Sequence, residues 1–135
     1  MLPHDRAVEL FILAKRDEHA AHVLAADGSV EDELIGFHYQ QATEKLLKAL
    51  LAERNIDFPR THDIVRLMEL VDDADYDVPA PLQELASLTS FAVALRYEME
   101  SSSVLAAEDV REMVEQLRTW VEAELRQGES NDSSQ

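Results

Sequence analysis

His38, Gln41 and Lys45 fall on one side of the segment Phe37–Leu51, which reads Phe-His-Tyr-Gln-Gln-Ala-Thr-Glu-Lys-Leu-Leu-Lys-Ala-Leu-Leu. At about 100° per residue, Ile35, Tyr39, Ala42, Leu46, Ala49 and Leu50 make one broad apolar face, and Leu47 and Leu51 make a second, smaller one. A helix that is apolar on two sides packs inside a bundle. Polar groups beside its buried face then need partners. An imidazole, an amide and an ammonium on that flank can move a proton or hold an anion. A histidine so placed also fits a purely structural role.

Arg96 is the second group of interest. It stands beside the stripe Leu85, Leu88, Ala92, Leu95 and Met99, and its guanidinium offers a fork to a carboxylate or a phosphate. Tyr97 follows, as a stacking surface or an aromatic closing the core edge. Asp17 is the third group. It lies among Leu10, Leu13, Ala21 and Leu24 on an apolar face, where a bare carboxylate is costly and must be paired. It reads as a structural polar residue, with Arg96 one candidate partner. His62-Asp63 matches the dipeptide of metal-dependent phosphohydrolases, but capping of a helix start by Asp63 explains it more simply. His19 and His22 are three apart, a spacing that permits a shared metal, yet no Glu-x-x-His or His-Glu-x-x-His occurs. There is no glycine-rich phosphate loop and no Gly-x-Ser-x-Gly. These residues assign no catalytic set, no metal and no cofactor.

These groups must be positioned by helices. The chain has 135 residues, 46% hydrophobic, with three glycines, which favours helix and allows one domain with a real core. The first helix is expected from about His4 to Ala26, stopped by Asp27-Gly28. Ser29 is expected to cap a second helix that reaches about Arg54. Thr61 is expected to cap a third, through about Asp72, with Ile64, Val65, Leu67, Met68 and Val71 inward. Pro79 and Pro81 open a fourth that reaches about Tyr97. A fifth runs from about Ala107 to Gln127, with Val110, Met113, Val114, Leu117, Val121 and Leu125 at helical spacing. The expectation is an all-α, up-and-down helical bundle of about five helices over residues 1–127, followed by a disordered polar tail over 128–135.

Charge narrows the partners. The formal charge is −16 and there is no cysteine, so disulfides and thiolate chemistry are excluded. A broad nucleic-acid surface is disfavoured by long-range repulsion. Between residues 45 and 66, however, Lys45, Lys48, Arg54, Arg60 and Arg66 face only Glu53, Asp57 and Asp63. That is the favoured neighbourhood for an anion. No segment approaches the roughly 20 apolar residues of a membrane span, and the start lacks the order of a secretion signal. A cytoplasmic protein without membrane contact is expected.

The run from His38 to Leu51, the Thr61-His62-Asp63-Ile64 helix start, and the run Leu88-Thr89-Ser90-Phe91-Ala92-Val93-Ala94-Leu95-Arg96-Tyr97 together resemble the HEPN domain (higher eukaryotes and prokaryotes nucleotide-binding). The resemblance covers about Ala7 to Leu125. It implies a helical bundle that forms homodimers and acts beside a small nucleotidyltransferase, often as a toxin–antitoxin pair. Many members are metal-independent endoribonucleases with an arginine followed four to six residues later by a histidine. Arg96 fits the arginine, but no histidine follows His62. The leading expectation is therefore a dimeric binding module, with a nucleotide or phosphate held by Arg96, Tyr97, Lys45, Lys48, His38 and Gln41. An RNA-cleaving toxin with a degenerate site and a purely structural dimer are the alternatives.

Overall fold

The computed structural model describes residues 2–90 and 107–133, with side chains over 2–86 and 109–128. Among the described residues the chain is helical, in the order α1 (Pro3–Asp27), α2 (Asp32–Glu53), α3 (Ile64–Asp73), a 3-10 helix (Ala80–Ser90) and α4 (Ala107–Ser133). Contacts between α1 and α2 run in opposite senses along the two helices. His4 meets Glu53, Asp17 meets Lys45, and the His22 ring meets the Tyr39 ring. Glu18 meets Arg118 while His22 meets Glu115, so α4 is likewise antiparallel to α1. The short connection at residues 28–31 produces the α1–α2 hairpin, with Gly28 left-handed at φ 80° as a helix stop requires.

Helix α2 is the central element, touching α1, α3, the 3-10 helix and α4. Its two apolar faces explain this. Ile35, Tyr39, Ala42, Leu46, Ala49 and Leu50 are all buried, and so are Leu47 and Leu51. On α1 the deepest residues are Ala7, Ala14 and Ala21. This row of small side chains, seven apart, lets α2 approach closely. Helix α4 contributes Val110, Val114, Leu117, Val121 and Leu125 to the core, with Met113 at its edge.

Several helix ends differ from the sequence expectation. Ser29 does not cap α2. Its backbone N–H donates to the Asp27 carboxylate at 3.1 Å and its hydroxyl bonds the same oxygen, which holds that carboxyl below its ordinary range. The residue before α2 is Glu31, and its side chain makes no cap. Asp63, not Thr61, caps α3, accepting from the Val65 and Arg66 N–H groups at 3.0 and 3.4 Å. The Thr61 hydroxyl accepts from the Asp63 N–H at 3.0 Å. Ile64, Leu67 and Val71 point inward as expected, whereas Val65 is exposed. In place of an α-helix opened by Pro79 and Pro81, the chain forms a 3-10 helix over Ala80–Ser90. The last helix continues to Ser133, past the Gln127 end read from the sequence. No described helix is long and apolar enough to cross a membrane.

Candidate functional site

The flank of α2 divides its polar residues between two places. Lys45 turns to α1, where its ammonium pairs with the Asp17 carboxylate. His38 Nδ1 lies 3.6 Å from the other Asp17 oxygen, and its ring stands edge-on to Phe37 at 5.6 Å. Asp17 is therefore paired, but at the edge of the α1–α2 contact and not at the centre of the apolar face expected from the sequence: Leu13 of that face is exposed, and the buried residues of α1 are Ala7, Ala14, Glu18 and Ala21. Its described partners are Lys45 and His38. Gln41 is half-buried on the same flank. Arg96 and Tyr97 lie outside the described residues.

Lys48, one turn on from Lys45, points elsewhere. Its Nζ sits 5.9 Å from the centre of the Phe58 ring, and the Arg6 guanidinium sits 5.0 Å from the same ring. Phe58 is half-buried against the core in the loop that joins α2 to α3. Pro59 follows it, and the Thr61 N–H donates back to the Pro59 carbonyl at 2.9 Å. This turn brings Arg60 and His62 round to Arg6 and Lys48. The result is a cavity of about 410 Å³ lined by Arg6, Lys48, Phe58, Arg60, Thr61 and His62, with no carboxylate among its lining residues. Among the described residues no carboxylate ion-pairs with Arg6, Lys48 or Arg60. Three cations around one hollow, none of them ion-paired among the described residues, make a local positive field within an acidic chain.

His62 completes the rim. Its Nδ1 lies 3.1 Å from Glu44 Oε2; the imidazole is 76% exposed while Glu44 is 2% exposed. The amide of Gln40 donates to the other Glu44 oxygen at 3.2 Å. Glu44 was not singled out by sequence reasoning. The signal was present: a helix apolar on two sides leaves little solvent arc, and Glu44 stands one turn before Leu47.

A larger cavity, about 640 Å³, is bordered by His4, Glu53, Arg54, Tyr76 and Glu124. Four of its polar side chains are engaged within the fold. His4 Nδ1 is 2.8 Å from Glu53 Oε2. The Arg54 guanidinium lies 3.6 Å from the Tyr76 ring centre and donates to the Ala74 carbonyl. The Tyr76 hydroxyl donates to the Leu50 carbonyl at 2.9 Å, and burial pushes it up to about 12 from 10.0. This cavity reads as a braced helix junction.

Three polar residues of α1 and α4 were also missed. Glu18 is 4% exposed and accepts from Arg118 Nε at 2.6 Å, while Glu115 reaches His22. His19, in contrast, is exposed. The Glu18–His22 spacing, four residues on one helix face, was the available signal.

A family model for the HEPN domain matches residues 7–124 of this chain. No curated protein matches it. The crystal structure of an archaeal HEPN homologue aligns with a TM-score of 0.64 at 23% identity, covering 89% of this chain and 98% of that one. That likeness is one of fold.

Proposed function

We propose that this chain, which belongs to the HEPN domain family, acts as a binding module for a phosphate or the phosphate of a nucleotide. One observation carries this reading: the hollow at Arg6, Lys48 and Arg60 gathers three cations and no carboxylate in a chain of charge −16. Arg60 supplies a fork and Lys48 a point charge, and Phe58 is the aromatic surface beside them. Lys45 is committed to Asp17 and serves this reading only by bracing α1 on α2. Arg96 and Tyr97 remain candidates on sequence grounds. The partners proposed with this reading are a second copy of the chain and a small nucleotidyltransferase, in a toxin–antitoxin-type pair. Self-association is supported by the exposed apolar side chains Val8, Ile12, Leu13, Val23, Leu34 and Phe37 on α1 and α2.

Calorimetric titration with inorganic phosphate and a panel of nucleotides tests the ligand. Lys48→Ala and Arg60→Ala each remove a charge-assisted contact of about 1.5–3 kcal/mol, so affinity falls about tenfold or more in each variant. Unchanged affinity in both removes the site. Arg96→Ala in parallel tests the sequence candidate.

One observation favours a second reading, metal-independent RNA cleavage. The buried Glu44 carboxylate orients His62 through Nδ1, which leaves Nε2 available for proton transfer beside the three cations. RNA cleavage in the presence of a chelator, lost in His62→Ala, would establish it. No cleavage by the wild-type chain would end it.

A further inference from the structure

Helices α1 and α4 carry a second polar cluster that phosphate binding does not use. Glu18 and His22 stand one turn apart on the same face of α1, and Glu115 approaches from α4. His22 Nε2 lies 3.6 Å from Glu115 Oε1 and 3.9 Å from Glu18 Oε2. The three donor atoms all fall within 4.8 Å of one another.

This cluster has unsatisfied donors and acceptors. Glu18 is 4% exposed, and among the described residues only one of its oxygens is engaged, by Arg118 at 2.6 Å. The other oxygen, facing His22, is enclosed and has no hydrogen-bond partner among the described residues, and the same holds for His22 Nε2. Tyr39 is 2% exposed with its ring 5.8 Å from that of His22, and its buried hydroxyl also lacks a partner among the described residues. The two rings are tilted by 58°, so Tyr39 borders the same space. Orphaned buried polar atoms on three converging side chains call for a bound species that none of them supplies.

We propose that Glu18, His22 and Glu115 form a binding site for one divalent transition ion of the zinc class, joining α1 to α4. Zinc bonds of about 2.0–2.2 Å in a tetrahedral shell place ligand atoms about 3.4 Å apart. The observed 3.6 and 3.9 Å separations need only small side-chain adjustments to meet that. An imidazole with two carboxylates suits zinc, cobalt or nickel better than the all-oxygen preferences of magnesium or calcium. Arg118 holds Glu18 by one oxygen and so aims the other at the ion, a role outer-shell groups commonly take. Three protein ligands leave a fourth position for water. Arg111 opposes the ion, because its Nε donates to Glu115 Oε1 at 3.2 Å. That pair is exposed and weakly held, so the ion can displace it.

The test is titration of the full chain, freed of metal by chelator and dialysis, with zinc chloride. The expected result is one ion per chain and a rise in unfolding temperature of about 5 °C at tenfold excess over the dissociation constant. Glu115 is partly exposed, so Glu115→Gln is a variant expected to fold, and it should weaken binding at least tenfold. His22→Gln should do the same, and cobalt should give the visible absorption of a low-coordinate site that both variants lose. Arg111→Ala should tighten binding several-fold by removing the competitor, a gain that a merely structural cluster would not give. His19→Ala should change nothing. No binding, binding that survives Glu115→Gln and His22→Gln, or binding lost on His19→Ala overturns the proposal.

Discussion

Replacing Arg118 by methionine strands the Glu18 carboxylate in the packed layer between α1 and α4. Glu18 is 4% exposed and its one direct hydrogen bond among the described residues is the 2.6 Å contact from Arg118 Nε. Methionine keeps most of the apolar stem and removes the charge. Breaking a buried ion pair from one side costs about 3–5 kcal/mol, since the remaining charge has neither water nor a cation. Arg118 is partly exposed, so water reaches the vacated side and the lower end applies, about 3 kcal/mol. With a urea slope of about 1–3 kcal/mol/M, the unfolding midpoint falls by about 1–3 M. The assay is urea denaturation followed by circular dichroism, in chelator so that no metal contributes. The double variant Glu18→Leu/Arg118→Met should recover most of the loss, because an apolar pair of similar size needs no compensation. A single-variant cost under about 0.5 kcal/mol, the size of an exposed salt bridge, would refute the buried pair. A double variant no more stable than the single would refute it equally.

Three further outcomes follow from the fold. Leu50→Ala, at a fully buried position on the central helix, should cost about 2–5 kcal/mol in the same denaturation assay. Asp63→Ala removes the side chain that accepts from Val65 and Arg66, for a loss of about 1 kcal/mol, while Ser29→Ala should be nearly silent. Tyr39 and Tyr76 are both pushed up to about 12 from 10.0 by burial. Their neutral hydroxyls therefore stabilise the fold fully below pH 10, and that contribution is lost as pH rises towards 12. Urea midpoints measured between pH 9 and 11.5 should fall, and less steeply in Tyr76→Phe.

Much of the bundle was legible because burial follows periodicity. The two apolar faces of α2 and the stripe of α4 were readable as spacing alone, and each residue assigned to them is buried or at the core edge. Helix ends were less legible, because a serine, a threonine and an aspartate near one start all compete as caps. Only backbone geometry decides that Asp63 wins and that Ser29 turns back to Asp27. On α1, wheel reasoning set Asp17 at the centre of the apolar face. The alanine row rotates the buried side towards Glu18, since close approach of two backbones, not side-chain size, sets that contact. The cationic hollow was half visible. The basic balance of residues 45–66 pointed to Lys48 and Arg60, but Arg6 joins them across more than forty residues, and only folding makes that pairing.

The most direct measurement is a map of amide chemical-shift changes as the full chain is titrated with inorganic phosphate and with a nucleotide. Binding at the cationic hollow predicts saturable shifts centred on Arg6, Lys48 and the loop Phe58–His62, absent in the Lys48→Ala/Arg60→Ala variant. Shifts centred elsewhere on the bundle, or none at millimolar ligand, would contradict the account.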